Sequence, residues 1–260
     1  MQLNESNYYS PEADAEYMSV SQYKRWLACP AAAKAQYVNC TYQPEQTDAL
    51  LHGQYFHGLF DGTAESVLRE HSELCTAKGL KTAPVKQLDE MFERVKRDEF
   101  FMSSLDGEHE QIFTAEFAGI QWKMKADIVN FDKLFFTDIK TVRDFSPVWN
   151  ENDRRKVEWW QAYKYDIQLA VYQKIIELST GYKLDAYIAA VTKEKVTDYE
   201  VYDFNSPDMD THFAGLVNAV KISMESIMTM KVKDIDLRRC EQCDYCRQTK
   251  MLDSVKIAKI

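Results

Sequence analysis

Gln121-Trp-Lys-Met-Lys-Ala-Asp127-Ile-Val-Asn130, followed after Phe131-Asp-Lys by Leu134-Phe-Phe-Thr-Asp138-Ile-Lys140-Thr141, is the stretch that decides how this chain is read. Each half has the residue pattern of a half-buried strand, and Asn130-Phe-Asp-Lys133 supplies a turn between them. Just upstream, Ile112-Phe-Thr-Ala-Glu-Phe117 alternates as well, and Ala118-Gly119 predicts a hairpin turn into Gln121. Side chains two apart on a strand share a face, so the Asp138 carboxylate and the Lys140 ammonium point into the same space. Asp127 lies near the end of the preceding strand, where a second carboxylate can join the first. Two carboxylates plus the Ile139 carbonyl make a hard, oxygen-rich site suited to Mg²⁺ or Mn²⁺. A lysine beside such a cation orients or deprotonates a water and offsets charge on a phosphorane-like transition state. This is equipment for phosphodiester hydrolysis.

Helical periods surround these strands. Ser19 followed by Gln22 is a capping-box pattern that opens a short helix through Tyr23, Trp26 and Leu27, ended or kinked at Cys29-Pro30. A second helix is expected from about Ala49 to Arg69 with His57 inside it. A third fits Val85–Phe100, where Leu88, Met91, Phe92 and Val95 recur at helical spacing. Residues 142–162 read as irregular. A helix over about Tyr163–Ser179, stopped by Gly181, is followed by strands at Ala186–Thr192 and Asp198–Phe204 and a last helix over roughly Pro207–Met230. Strands lying between helices on both sides predict an α/β fold, a mixed central sheet with flanking helices. The expected organisation is an extended N-terminal arm over 1–18, one domain with a helical N-terminal part over 19–246, and a C-terminal tail over 247–260.

The chain has 260 residues, enough to bury a sizeable core without a disulfide or metal. Its net charge of −9 excludes a histone-like or arm-type coat on nucleic acid, although a basic channel in an acidic body stays compatible with it. The longest apolar stretches, such as Tyr187–Val191, fall far short of the ~20 residues that span a bilayer. The start MQLNESNYYS has neither a basic opening nor an apolar run, so no secretory signal is expected and the protein is read as cytoplasmic.

By itself, Asp-x-Lys on an amphipathic strand is ordinarily a solvated face. His57, in Gly53-Gln-Tyr-Phe-His57, would alone be read as a satisfied structural residue. Gln168 and Tyr172, four apart and so on one helix face, would be an ordinary helix surface. The ordered set Gly-x-x-x-His, Asp, Asp-x-Lys, Gln-x-x-x-Tyr is far less expected by chance. In these residues the sequence resembles the PD-(D/E)xK nucleases of the RecB/RecE exonuclease group, over about residues 19–246. Ala126-Asp127 matches the first carboxylate motif, with Ala where the motif's name has Pro. Asp138-Ile139-Lys140 matches D/E-x-K, and Gln168–Tyr172 matches the QxxxY motif. Glu116, on the strand before Asp127, falls where this group often carries an acidic residue.

The resemblance implies a restriction-endonuclease-like core and metal-dependent hydrolysis of linear double-stranded DNA. The closest flavour is that of phage exonucleases in recombination by single-strand annealing, located in the host cytoplasm. It implies that Asp127, Asp138, His57 and the Ile139 carbonyl ligate Mg²⁺ or Mn²⁺, that Lys140 assists the water, and that Gln168 and Tyr172 position DNA. Implied partners are double-stranded DNA ends, a RecT-like annealing protein, and identical subunits in a ring, a trimer or tetramer. Several RecB-type nucleases join their two ends by four cysteines around an iron–sulfur cluster, one early and three late. Cys29 with Cys240, Cys243 and Cys246 has that order, with a tighter last gap, and four thiolates suit either [4Fe–4S] or Zn²⁺. Three thiols in a metal-free C-terminal loop are the plainer reading, and Cys40 and Cys75 read as ordinary thiols. Arg154-Arg155-Lys156 with Trp149, Trp159 and Trp160 has two readings, phosphate contact with stacking or a solvated charge run over half-buried rings. Two other functions stay open: an iron–sulfur nuclease of the CRISPR-associated or helicase–nuclease type, and an inactive, cysteine-clamped interaction protein.

Overall fold

The computed structural model describes residues 1–151, 153–233 and 236–252. The N-terminal segment folds back as helix α1 (Pro11–Glu16), then come α2 (Val20–Ala28) and α3 (Pro30–Tyr37). A helical block follows, α4 (Asp48–Asp61), α5 (Ala64–Glu70), α6 (Ala83–Val95) and α7 (Glu99–Ser103). Strands β1 (Glu108–Phe117), β2 (Ile120–Asn130) and β3 (Phe135–Val142) lead to a small hairpin, β4 (Val148–Asn150) and β5 (Arg155–Val157). Helices α8 (Trp159–Ala162) and α9 (Tyr165–Thr180), strands β6 (Asp185–Thr192) and β7 (Tyr199–Asp203), and helices α10 (Pro207–Val232) and α11 (Asp244–Gln248) complete the order.

The main sheet runs β1-β2-β3-β6-β7. β3 and β6 are parallel, joined through α9, and the other neighbours are antiparallel. This is the expected mixed sheet. Its core is double. Tyr23 and Trp26 from α2, Leu169 and Ile176 from α9, and Phe213 and Met224 from α10 pack with Trp122, Met124 and Ile188. Leu51, Phe56, Leu88 and Met91 from α4 and α6 pack with Ile128, Ile139 and Val191. Alternation along β6 explains the division, because Ala186, Ile188 and Ala190 serve the first core while Ala189 and Val191 serve the second.

Five expectations are corrected. Residues 1–18 are not extended: Ser10 caps α1 through Ala13 N–H, Pro11 presets its first turn, and Tyr8, Ala13 and Tyr17 are buried. Met18 then pairs with β2, its N–H donating to Gln121 O at 2.8 Å and its carbonyl accepting from Lys123 N at 2.9 Å. The helix expected over Ala49–Arg69 breaks in two at Gly62, whose φ of +82° is the left-handed cap that glycine adopts without strain. The helix expected over Val85–Phe100 likewise divides, because Asp98 caps a new one through Phe101 N–H. The stretch 142–162 is ordered as hairpin β4–β5 and helix α8, although Asn152 lies outside the described residues. The tail expected from 247 overlaps α11, and 253–260 lie outside the described residues. Among the described residues no helix is long and apolar enough to cross a membrane.

Candidate active site

The site begins where the sheet comes apart. β2 pairs with β3 through Asn130–Phe135, Val129–Phe136 and Ile128–Thr137, and there the ladder ends. The next two residues in that register are Asp127 and Asp138. On the far side of the gap the free edge of β2 is taken by Met18. Asp127 bridges the opening itself: its Oδ2 accepts the Ile139 N–H at 2.7 Å, replacing the ladder bond that the splayed strands no longer make.

Helix α4 brings His57 across this opening. Its Nε2 lies 3.0 Å from the Ile139 carbonyl oxygen, and its Nδ1 lies 3.5 Å from Asp127 Oδ1. Burial disfavours the imidazolium, but Asp127 outweighs it and raises the His57 pKa. Burial likewise pushes the Asp127 carboxyl up, yet His57, Lys140 and the Ile139 N–H hold it down at about 2. On the opposite face of β3, Asp138 is 3% exposed. Its Oδ2 meets Lys140 Nζ at 2.6 Å, and its Oδ1 accepts from Gln168 Nε2 of α9 at 2.8 Å. Burial raises the Asp138 pKa against the pull of Lys140, with Asp127 adding to the rise. For Lys140, burial favours the neutral amine, but Asp138 and Asp127 prevail and raise its pKa. Tyr172, one turn beyond Gln168, is half-buried, and burial foremost, with Tyr8, Asp138 and Asp127, holds its phenol protonated.

Two contributors escaped the sequence reading. The first is Glu110. Between the pairs His109–Ile128 and Gln111–Ala126 it falls opposite Asp127, with φ +56°, a left-handed conformation unusual for a non-glycine residue inside a strand. Ligand atoms of His57, Glu110 and Asp127 lie within 4.8 Å of one another. The expected acid, Glu116, instead pairs with Gln121 beside the hairpin turn and is exposed. Alternation cannot reveal a residue whose backbone departs from it. The second is Lys24 of α2, whose Nζ approaches Gln168 Oε1 at 3.5 Å and stands 5.1 Å from the Tyr165 ring centroid, as does Lys140 Nζ. Burial, and then the neighbouring Lys140 charge, push the Lys24 pKa down to about 8.

The donor set fits a divalent cation. Two carboxylates and an imidazole come together, with the Ile139 carbonyl 3.0 Å from His57 Nε2 and with Asp138 and Lys140 alongside, and oxygen predominates as Mg²⁺ or Mn²⁺ requires. Elsewhere, Arg155 and Lys156 are exposed on β5, and Trp149, opposite Lys156, is exposed as well. Trp159 is a core residue, and Trp160 packs edge-on against Phe204 with centroids 5.2 Å apart. The thiols of Cys29, Cys240, Cys243 and Cys246 come together at a second place, with their sulfurs within 4.8 Å of one another.

The family model described as a PDDEXK-like domain of unknown function (DUF3799) matches residues 19–249. The chain belongs to this family. It is thereby a member of the PD-(D/E)xK nuclease superfamily, as its motifs imply. A crystal structure of a candidate exonuclease from Eubacterium rectale is 32% identical in sequence, covers 99% of this chain and 97% of its own, and superposes with a TM-score of 0.92. A second solved structure, SSO0001, covers 82% of this chain and 89% of its own at 12% identity, with a TM-score of only 0.30. No curated protein matches the chain. Family, fold and relative together make this a nuclease scaffold, and the residues that match the family's motifs in sequence, Asp127, Asp138 and Lys140, stand at the splayed strands.

Proposed function

We propose that the protein is a divalent-metal-dependent DNA exonuclease that hydrolyses phosphodiester bonds from the ends of linear double-stranded DNA. The observation that carries this reading is the gathering of Asp127, Glu110, His57 and the Ile139 carbonyl beside the Asp138–Lys140 pair. Asp127, Glu110, His57 and the Ile139 carbonyl would hold the cation, with Asp138 beside them. Mg²⁺ or Mn²⁺ would supply Lewis acidity toward the phosphate and a lowered pKa for a water.

The chain's own groups do the rest. Lys140, kept protonated by Asp138 and Asp127, acts as a fixed cation that hydrogen-bonds the attacking water or a phosphoryl oxygen. Asp138 holds that ammonium in place, and Gln168 holds Asp138, so the lysine enters the reaction already oriented. Lys24, next to Gln168, adds positive charge on the substrate side. Tyr172 remains a neutral hydrogen-bonding phenol beside two carboxylates. Arg154, Arg155, Lys156 and Trp149 on the β4–β5 hairpin would guide the duplex.

A ring of identical subunits with a basic bore, feeding a RecT-like annealing protein in phage-type recombination, belongs to the same proposal and reconciles the acidic charge with DNA handling. The test is digestion of end-labelled linear and circular duplex DNA with Mg²⁺ and with EDTA, alongside light-scattering mass. Shortening of linear DNA alone, abolished by EDTA, is the expected outcome. Cutting of circles would make the activity endonucleolytic, no cutting would refute the catalytic reading, and a monomer would remove the ring.

A further inference from the structure

Four sulfurs that gather in a group separate from the carboxylates have no part in the proposed hydrolysis. Cys29 ends α2 and opens α3, Cys243 caps α11, and Cys246 lies within α11. Cys29 and Cys246 are almost wholly buried, in a small cluster of their own with Ala31, Ala32 and Tyr245. Their Sγ atoms are 3.5 Å apart, and Cys240 Sγ is 3.9 Å from that of Cys246. Cys240 Sγ also accepts the Cys243 N–H at 3.3 Å. Backbone ties bring the segment in: Ala31 N–H donates to Arg238 O at 3.3 Å, and the Arg238 guanidinium donates to Leu27 O at 2.9 Å.

Spacing does not choose between the two metals that four thiolates suit, since Cys-x-x-Cys runs serve both. Sulfur separation does. A single tetrahedral ion with bonds of ~2.3 Å to sulfur has its thiolates about 3.8 Å apart. A four-iron cube binds each thiolate to a different iron and so sets the sulfurs further apart than one shared ion would. All four sulfurs here lie within 4.8 Å, and the two separations above bracket the tetrahedral edge. The residues therefore fit one ion and not the cluster that the resemblance implies.

We propose that Cys29, Cys240, Cys243 and Cys246 form a structural Zn²⁺ site that fastens the α2–α3 junction to the C-terminal helix α11. Closed sites of four thiolates leave no open position for a substrate, so this ion holds structure and takes no part in cleavage. Its anchor is five residues along the chain from Lys24, so the clasp also fixes the helix that carries Lys24 into the nuclease site.

The test is elemental analysis of protein purified anaerobically without added metal, read together with its visible spectrum, for the parent, Cys243→Ser and Cys40→Ser. Cys40 is an exposed free thiol outside the cluster. About one zinc per chain and no visible absorption are expected in the parent and in Cys40→Ser. Cys243→Ser is expected to lose the zinc and to melt roughly 5–10 °C lower. Should Cys243→Ser fail to fold, thiol titration of the parent with a mercurial, reading zinc release by a chromogenic chelator, replaces it, with release tracking four thiols expected. Iron with inorganic sulfide and a brown chromophore would overturn the proposal in favour of a cluster. Absence of both metals, or zinc retained by Cys243→Ser, would also overturn it.

Discussion

Replacing Asp127 by Asn in metal-free protein removes one charge while leaving an oxygen to accept the Ile139 N–H, so it isolates the ion pair with His57 from the hydrogen bond. The Asp127 side chain is only 14% exposed, which limits screening by water. A carboxyl moved from its ordinary 3.8 to about 2 contributes about 2 kcal/mol to folding at neutral pH. The sign follows from the direction. A depressed carboxylate stabilises the fold above its unfolded pKa, and that contribution disappears as pH falls from 3.8 through about 2. Urea unfolding of parent and variant in EDTA, followed by circular dichroism, should differ by about 2 kcal/mol at pH 7, and the difference should shrink toward pH 3. Histidine NMR titration supplies a second measure. With Asp127 neutralised, burial acts against the imidazolium with its main opponent gone, so the His57 pKa should drop. Equal stability at pH 7 together with an unmoved His57 would refute the pairing and the account of the site built on it.

Lys140→Ala should lower cleavage by ~10²-fold or more while Mn²⁺ binding, measured by calorimetry, persists, because the ammonium faces Asp138 and the reaction rather than forming a ligand. Glu110→Gln should weaken Mn²⁺ binding by roughly 10–100-fold if the left-handed residue opposite Asp127 supplies a ligand; affinity equal to the parent's would return Glu110 to its Lys125 ion pair alone. Gly58→Ala should destabilise the protein by about 1–3 kcal/mol in urea melts, since a methyl there would stand 2.7 Å from Ala64 N and 2.9 Å from Ala64 Cα, backbone atoms that cannot step aside.

Fold class and most of the site were legible in the sequence because they rest on local patterns. Alternation located β2 and β3, and Ala118-Gly119, both with positive φ, turned the hairpin as its composition implies. Asp138 and Lys140 share a face because strands alternate, and Gln168 reaches Asp138 across the crossover between two parallel strands. What stayed hidden depends on long-range placement. Met18 joins β2 because the splay leaves part of that strand's edge open, a fact no window around Met18 contains. Lys24 sits in an amphipathic helix whose sequence reads as a surface, and only the packing of α2 beside α9 turns it toward Gln168. Glu110 is invisible for another reason: it lies two residues before the alternating run that opens at Ile112, and its left-handed backbone fits no strand pattern.

The ion pairs within the site bear on how it would take up a metal. Asp127 is held by His57, Asp138 by Lys140 and Glu110 by Lys125, so each carboxylate already has a positive partner. Both ring nitrogens of His57 face oxygen acceptors, the Ile139 carbonyl and Asp127, which is the arrangement of a doubly protonated imidazolium. A histidine that ligates a metal must give one of those protons up. Because Asp127 raises the His57 pKa above its ordinary value, the proton is held more tightly than on a free imidazole, and cation affinity should rise with pH until His57 has titrated. Below that pKa, calorimetry with Mn²⁺ in buffers of different ionisation enthalpy should count close to one proton released per ion bound, and His57→Gln should abolish the release. Mn²⁺ binding that liberates no proton at any pH below the His57 pKa measured by NMR would show that His57 is not a ligand. The cation would then rest on Asp127, Glu110 and the Ile139 carbonyl alone.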